Sequence, residues 1–169
     1  MSGHGGYLFF VWLHILAAAL WVGGMLFFVL VLLPLSRSER YRALAPELVQ
    51  LSGLRFRVVG WVALVLLVAT GTLALYYRGL GSLLGEAAFW RAPFGSVLAM
   101  KLFLVAAVLG ISAVHDFYVG PRSVARWQQA PDAPDTRRLR RLAAWMGRLN
   151  LLLSLAIVFL AVALVRGLP

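Results

Sequence analysis

The chain has 169 residues, of which 62% are hydrophobic and 13% charged, and its formal net charge is +10. Such an apolar excess departs from the balance of an ordinary soluble domain. With no cysteine present, disulfides, thiolate metal ligands, iron–sulfur clusters and haem attached through Cys-x-x-Cys-His are all excluded. Any metal must take nitrogen, oxygen or thioether ligands.

The apolar residues gather in four stretches, Tyr7–Leu33, Val58–Tyr77, Ser96–Tyr118 and Leu142–Val165, each flanked by Arg, Pro or Gly. A helix needs about 20 residues to cross a hydrocarbon core of roughly 30 Å, and all four are long enough. The expected fold is therefore all-α: a polytopic membrane protein, a four-transmembrane-helix bundle forming one domain over residues 1–169. The first stretch has an alternative reading as a signal peptide. It lacks a basic start, is too long for that apolar region and has no Ala-x-Ala-like site before Pro34, so it reads as a retained helix.

Along the first helix, His14, Ala18, Trp21, Met25 and Phe28 share one face at three-and-four spacing. The next segment, Ser36–Leu54, is polar, with Pro46 and Glu47 in its middle, and is expected to form a short helix lying on the membrane surface. After the second helix, Gly79–Gly95 mixes glycines with Phe89, Trp90 and Phe94, as an aromatic interfacial belt does. On the third helix Lys101, Val105, Val108, Ser112 and His115 share a face. Gln128–Thr136, interrupted by Pro131 and Pro134, is a polar linker that stops the third helix before the fourth begins.

The basic residues map a topology. Arg37, Arg40, Arg42, Arg55 and Arg57 lie between the first and second helices. Arg122, Arg126, Arg137, Arg138, Arg140 and Arg141 lie between the third and fourth, against only Arg78, Arg91 and Arg166 on the other side. By the positive-inside rule the first and third connections are cytoplasmic, and both termini face outward. The basic excess then calls for no nucleic acid, and its expected partner is anionic membrane lipid.

Lys101 stands out because an ionised side chain within a span costs roughly 2.5–3.5 kcal/mol on insertion scales, so it normally has a partner or a task. At 1.5 Å per residue, His14 and Lys101 each lie roughly 9 Å outward of the middle of their helices, and His115 roughly 12 Å inward. The two histidines are thus about 20 Å apart along the membrane normal, which disfavours one haem shared between them. Two half-sites follow: His14 with Lys101 outside, and Met25 with His115 inside, near Arg57, Met146 and Arg148. Packing alternatives exist for each. His14 and Met25 can be core residues, Lys101 can snorkel outward, His115-Asp116 can cap a helix or bridge to Arg57 or Arg122, and Trp21-Val-Gly-Gly can be a close-packing patch. At the amino terminus, Ser2-Gly3-His4 with a freed amine matches a square-planar nitrogen site for Cu(II), with His4 as the imidazole ligand.

His14-Ile-Leu-Ala-Ala-Ala-Leu-Trp21-Val-Gly-Gly, Arg55-Phe-Arg, Ala69-Thr-Gly71-Thr, Lys101-Leu-Phe-Leu-Val and His115-Asp-Phe-Tyr-Val-Gly-Pro-Arg122 together resemble the copper resistance protein D (CopD) membrane domain, from about residue 7 to 165. The resemblance implies a bacterial inner-membrane protein that handles copper or carries haem b for electron transfer. The same helices are similar to those of HemJ-type protoporphyrinogen oxidases, which place a His before a Trp in the first helix and a Lys-Leu pair in the third. That second resemblance implies haem b ligated by His14 and Lys101, with a porphyrinogen as substrate and quinone as electron acceptor. The chain departs from those enzymes after Gly24, where Leu32-Leu-Pro-Leu-Ser-Arg37 lacks their aromatic and basic pattern.

A haem between the helices would use the room left by Gly23, Gly24, Gly71 and Ala17–Ala19, beside Trp21. Its propionates would find Arg78 and Arg91 outside, or Arg57 and Arg148 inside. The metal ligand candidates are His14, His4, His115 and Met25. A third function class is an accessory subunit of a respiratory complex, and a periplasmic redox protein or a second copy in a homodimer completes the expected partners.

Overall fold

The computed structural model describes residues 2–166, with side chains described from residue 5 to 166. Among the described residues four long helices form the body of the fold: α1, whose membrane-length part is Gly5–Leu35, α2 (Ala45–Tyr77), α3 (Pro93–Gln129) and α4 (Pro134–Arg166). No strand occurs among the described residues. In lipid every backbone N–H and C=O must be satisfied within the segment, and a run of apolar residues with no water to turn to closes on itself as a helix. Prolines set three of the starts. Pro46, Pro93 and Pro134 stand in the first turns of α2, α3 and α4, where a missing N–H costs nothing.

The helices run further at the Arg-rich end than apolar length alone predicts. α2 begins at Ala45 rather than Val58, α3 continues to Gln129 and α4 starts at Pro134. The polar segment expected as a separate surface helix is instead split. Glu39–Tyr41 forms one 3-10 turn, and from Ala45 the chain continues without a break into the span. Its backbone bonds are as well satisfied outside lipid as within it, and nothing after Pro46 stops the helix. At 1.5 Å per residue, a 33-residue helix is about 50 Å long, so α2 and α4 carry their arginines well beyond a hydrocarbon core of about 30 Å.

Two π-helical turns interrupt the spans, at Phe28–Leu32 in α1 and His115–Val119 in α3. Each directly precedes a proline-bearing turn, with Pro34 after the first and Pro121 after the second. A proline inside a helix has no N–H to give to the turn before it, and the ladder widens there to an i→i+5 bond, Leu33 to Phe28 and Gly120 to His115.

The opposite end is closed by a compact connection. Gly79, at φ +71°, ends α2 in the left-handed conformation that glycine adopts without strain. A 3-10 turn at Ser82–Gly85 and a short helix at Ala87–Arg91 follow, pinned by a Trp90 Nε1 hydrogen bond to the Leu84 carbonyl at 2.9 Å. Gly95 is required there, because a Cβ on it would sit 1.9 Å from the Phe89 carbonyl oxygen.

α1 packs chiefly on α2 and α3 on α4, and the two hairpins meet around Trp21, Met25, Ala63, Leu64, Val108 and Leu151. Most other apolar side chains point outward: Leu30 is 66% exposed, Phe103 68% and Phe159 66%. A surface so apolar has only lipid as its solvent, which makes the chain a multi-pass membrane protein.

Candidate functional site

The shared faces read from the sequence do turn inward. Trp21 and Met25 on α1 are buried, as are Val108 and Ser112 on α3. Three polar groupings lie along the resulting axis.

At the Arg-poor end, His14 Nδ1 lies 2.8 Å from Thr70 Oγ1 on α2. Thr70 has one proton, and its oxygen is 2.5 Å from the Leu66 carbonyl, which can only accept. The proton therefore goes to Leu66, the ring must donate Nδ1–H to Thr70, and the tautomer that follows leaves the Nε2 lone pair free. The Leu67 carbonyl lies 3.5 Å from Thr70 Oγ1. Gly71 lets the ring in: a Cβ there would be 3.3 Å from His14 Cε1. Lys101 of α3, half-buried toward the same end of the bundle, makes no ion pair or hydrogen bond among the described residues.

In the middle, Asn150 of α4 donates from Nδ2 to Ser112 Oγ at 2.9 Å and approaches Met25 Sδ at 3.9 Å. Ser154 donates to the Asn150 carbonyl at 2.5 Å. Asn150 Oδ1 is buried without a partner.

At the Arg-rich end, the π turn of α3 presents His115 and Asp116. His115 Nδ1 is 2.9 Å from Asp116 Oδ1, and Trp61 Nε1 donates to Asp116 Oδ2 at 3.1 Å. Asp116 thus bridges to neither Arg57 nor Arg122. Those guanidiniums lie over aromatic rings instead, Arg57 5.4 Å from the Phe117 centroid and Arg122 3.4 Å from that of Tyr118. His115, Met25, Arg57, Met146 and Arg148, expected as one inner half-site, do line a common cavity of about 750 Å³. Neither His14 nor Lys101 lines it.

The remaining candidates scatter. Trp21 is core, packed over Gly60. Arg78 is exposed above Phe94, 5.5 Å from its centroid, and Arg91 is exposed on the short connecting helix. His4 lies outside the described side chains. Among the described residues no three His, Asp or Glu side chains come together as a metal cluster.

The room expected for a haem beside Trp21 is taken up by side chains at two of its three glycines. The His14 ring covers Gly71, the Phe56 ring covers Gly24 so closely that a Cβ would lie 2.0 Å from it, and Gly23 has no neighbour within 4 Å. Thr70, Asn150 and Ser154 escaped notice as site residues. Asn150 and Ser154, four apart in the apolar fourth stretch, were the signal available.

The family model described as "Copper resistance protein D" matches residues 53–164, which span most of α2, all of α3 and nearly all of α4. A protein of Aquifex aeolicus (strain VF5), described as "Uncharacterized protein", is 31% identical over 159 residues, 94% of each chain. No solved structure matches the chain.

Proposed function

The chain belongs to the copper resistance protein D family, and we propose that it handles copper as cargo in the plasma membrane, binding the ion at His14. The supporting observation is the Thr70 hydrogen bond, which anchors the imidazole by Nδ1 and leaves Nε2 as a free donor. A histidine that ligates metal is ordinarily held this way, by a second group on its other nitrogen. Imidazole suits both oxidation states of copper, and an unprotonated Lys101 amine supplies a second nitrogen.

Charge separates the two histidines. Six arginines and one aspartate line the cavity at His115, a field that repels a copper cation. His115 is accordingly no part of the copper site. With the Arg-rich end in the cytoplasm, His14 opens toward the outer side.

The test is equilibrium dialysis of the purified protein in detergent against Cu(I) and Cu(II), without and with His14→Ala and His115→Ala. Copper bound by the parent and the His115 variant but lost from His14→Ala is the expected pattern. Copper retained in full by a folded His14→Ala protein overturns the reading.

A further inference from the structure

The cavity at the Arg-rich end is unusual in how little answers its charge. Arg37, Arg57, Arg137, Arg140, Arg141 and Arg148 line it, and its one acid, Asp116, is already held by His115 and Trp61. Among the described residues no arginine forms an ion pair with a carboxylate, since the single pair is His115–Asp116. Guanidiniums cannot shed their charge by deprotonation. Arg37, Arg137 and Arg141 are exposed to water, whereas Arg57, Arg140 and Arg148 are half-buried against the rings of Phe117, Trp127 and Trp145 with no carboxylate partner, and these three are the ones an anion from outside the chain would complete.

Two buried atoms sharpen the requirement. Arg57 Nε has no hydrogen-bond partner and lacks an acceptor, while Asn150 Oδ1 has none and lacks a donor. Both residues line the cavity, and Asn150 is only 7% exposed. Leaving buried polar groups of this kind unmet is costly, so their persistence points to a ligand that satisfies them. The rest of the wall is apolar, with Trp21, Phe28, Phe56 and Leu64. The volume of about 750 Å³ falls within the range of small-molecule sites.

We infer that this cavity binds the headgroup of an anionic phospholipid, with the phosphate among Arg57, Arg140 and Arg148 and the upper acyl chain along Trp21, Phe28 and Phe56. Guanidinium is the side chain best matched to phosphate oxygens. A headgroup carrying free hydroxyls, such as the glycerol of phosphatidylglycerol, also supplies the donor that Asn150 Oδ1 lacks. The two π turns open onto this same cavity through Phe28 and Val29 on one side and His115 and Asp116 on the other. The site is independent of copper at His14.

Native mass spectrometry of the full chain in detergent, with phosphatidylglycerol or phosphatidylcholine added, tests the site. A one-to-one adduct with phosphatidylglycerol that outcompetes phosphatidylcholine is expected. Each arginine near a lipid phosphate contributes about fivefold to affinity, so Arg57→Gln with Arg148→Gln should weaken the adduct about twentyfold or more. Arg40→Gln and Arg138→Gln, outside the cavity, should leave it intact. Because the double variant can misfold, Asn150→Leu provides a second reading with phosphatidic acid, which lacks the glycerol hydroxyls, as a third lipid: the parent should prefer phosphatidylglycerol over it, and the variant should lose that preference. Equal adducts with phosphatidylcholine, insensitivity to the cavity arginines, or full displacement by millimolar inorganic phosphate would overturn the assignment, the last in favour of a soluble phosphate ligand.

Discussion

Thr70 of α2 holds His14 of α1 by the Nδ1 edge at 2.8 Å, and its own proton is committed to the Leu66 carbonyl. The imidazole is thereby fixed both in tautomer and in orientation. Thr70→Val keeps the shape and removes the anchor. Loss of such a supporting group typically costs 10–100-fold in metal affinity. Copper affinity of Thr70→Val should therefore fall by about that factor, while Thr70→Ser should stay within a few-fold of the parent. Parent-like affinity in Thr70→Val, measured by competition with a copper chelator, would show that the anchor plays no part.

Adjacent glycines should respond oppositely. A Cβ on Gly24 would lie 2.0 Å from Phe56 Cε2, whereas one on Gly23 meets nothing within 4 Å. Gly24→Ala must push the Phe56 ring aside, at a cost of about 1–3 kcal/mol for overpacking a filled site. Gly23→Ala should be neutral or slightly stabilising, since alanine is the better helix former. Combining Gly24→Ala with Phe56→Leu should recover part of the loss. Thermal unfolding in detergent reads all three, and equal effects at the two positions would contradict the packing.

This pair marks where the sequence stops being legible. Trp21-Val-Gly-Gly announces close packing, but the two glycines differ only in helical phase against α2. The spans, their inward faces and the separation of His14 from His115 all follow from apolar length and spacing along each helix. The helix extensions at the Arg-rich end did not, because hydropathy reports lipid contact and not where a helix ends. Nor did the partners of Asp116. Electrostatics on paper points it to an arginine, while the π turn before Pro121 faces it to Trp61 and to its neighbour His115.

The orientation of the bundle rests on the eleven arginines between residues 37 and 57 and between residues 122 and 141, against three, Arg78, Arg91 and Arg166, at the other end. Reporters fused near residues 45 and 85 should place the first in the cytoplasm and the second outside. An exported reporter active at residue 45 would invert the bundle, and His14 would then open inward.

Lys101 separates two ways of acting on the copper site. If its amine donates to copper, both Lys101→Met and Lys101→Arg should weaken binding, because methionine offers no nitrogen and a guanidinium stays protonated. If instead it acts only as a positive charge beside His14, Lys101→Met should bind copper more tightly and Lys101→Arg should match the parent. The proposed second-donor role predicts the first pattern. Stability moves separately: removing an ionised group from a span relieves at most about 2.5–3.5 kcal/mol, so Lys101→Met should melt at or above the parent temperature. Copper titration and thermal unfolding on the same preparations distinguish the cases. Unchanged copper affinity in both variants would leave Lys101 as an anchor reaching toward the membrane surface and His14 as the sole nitrogen donor from the described spans.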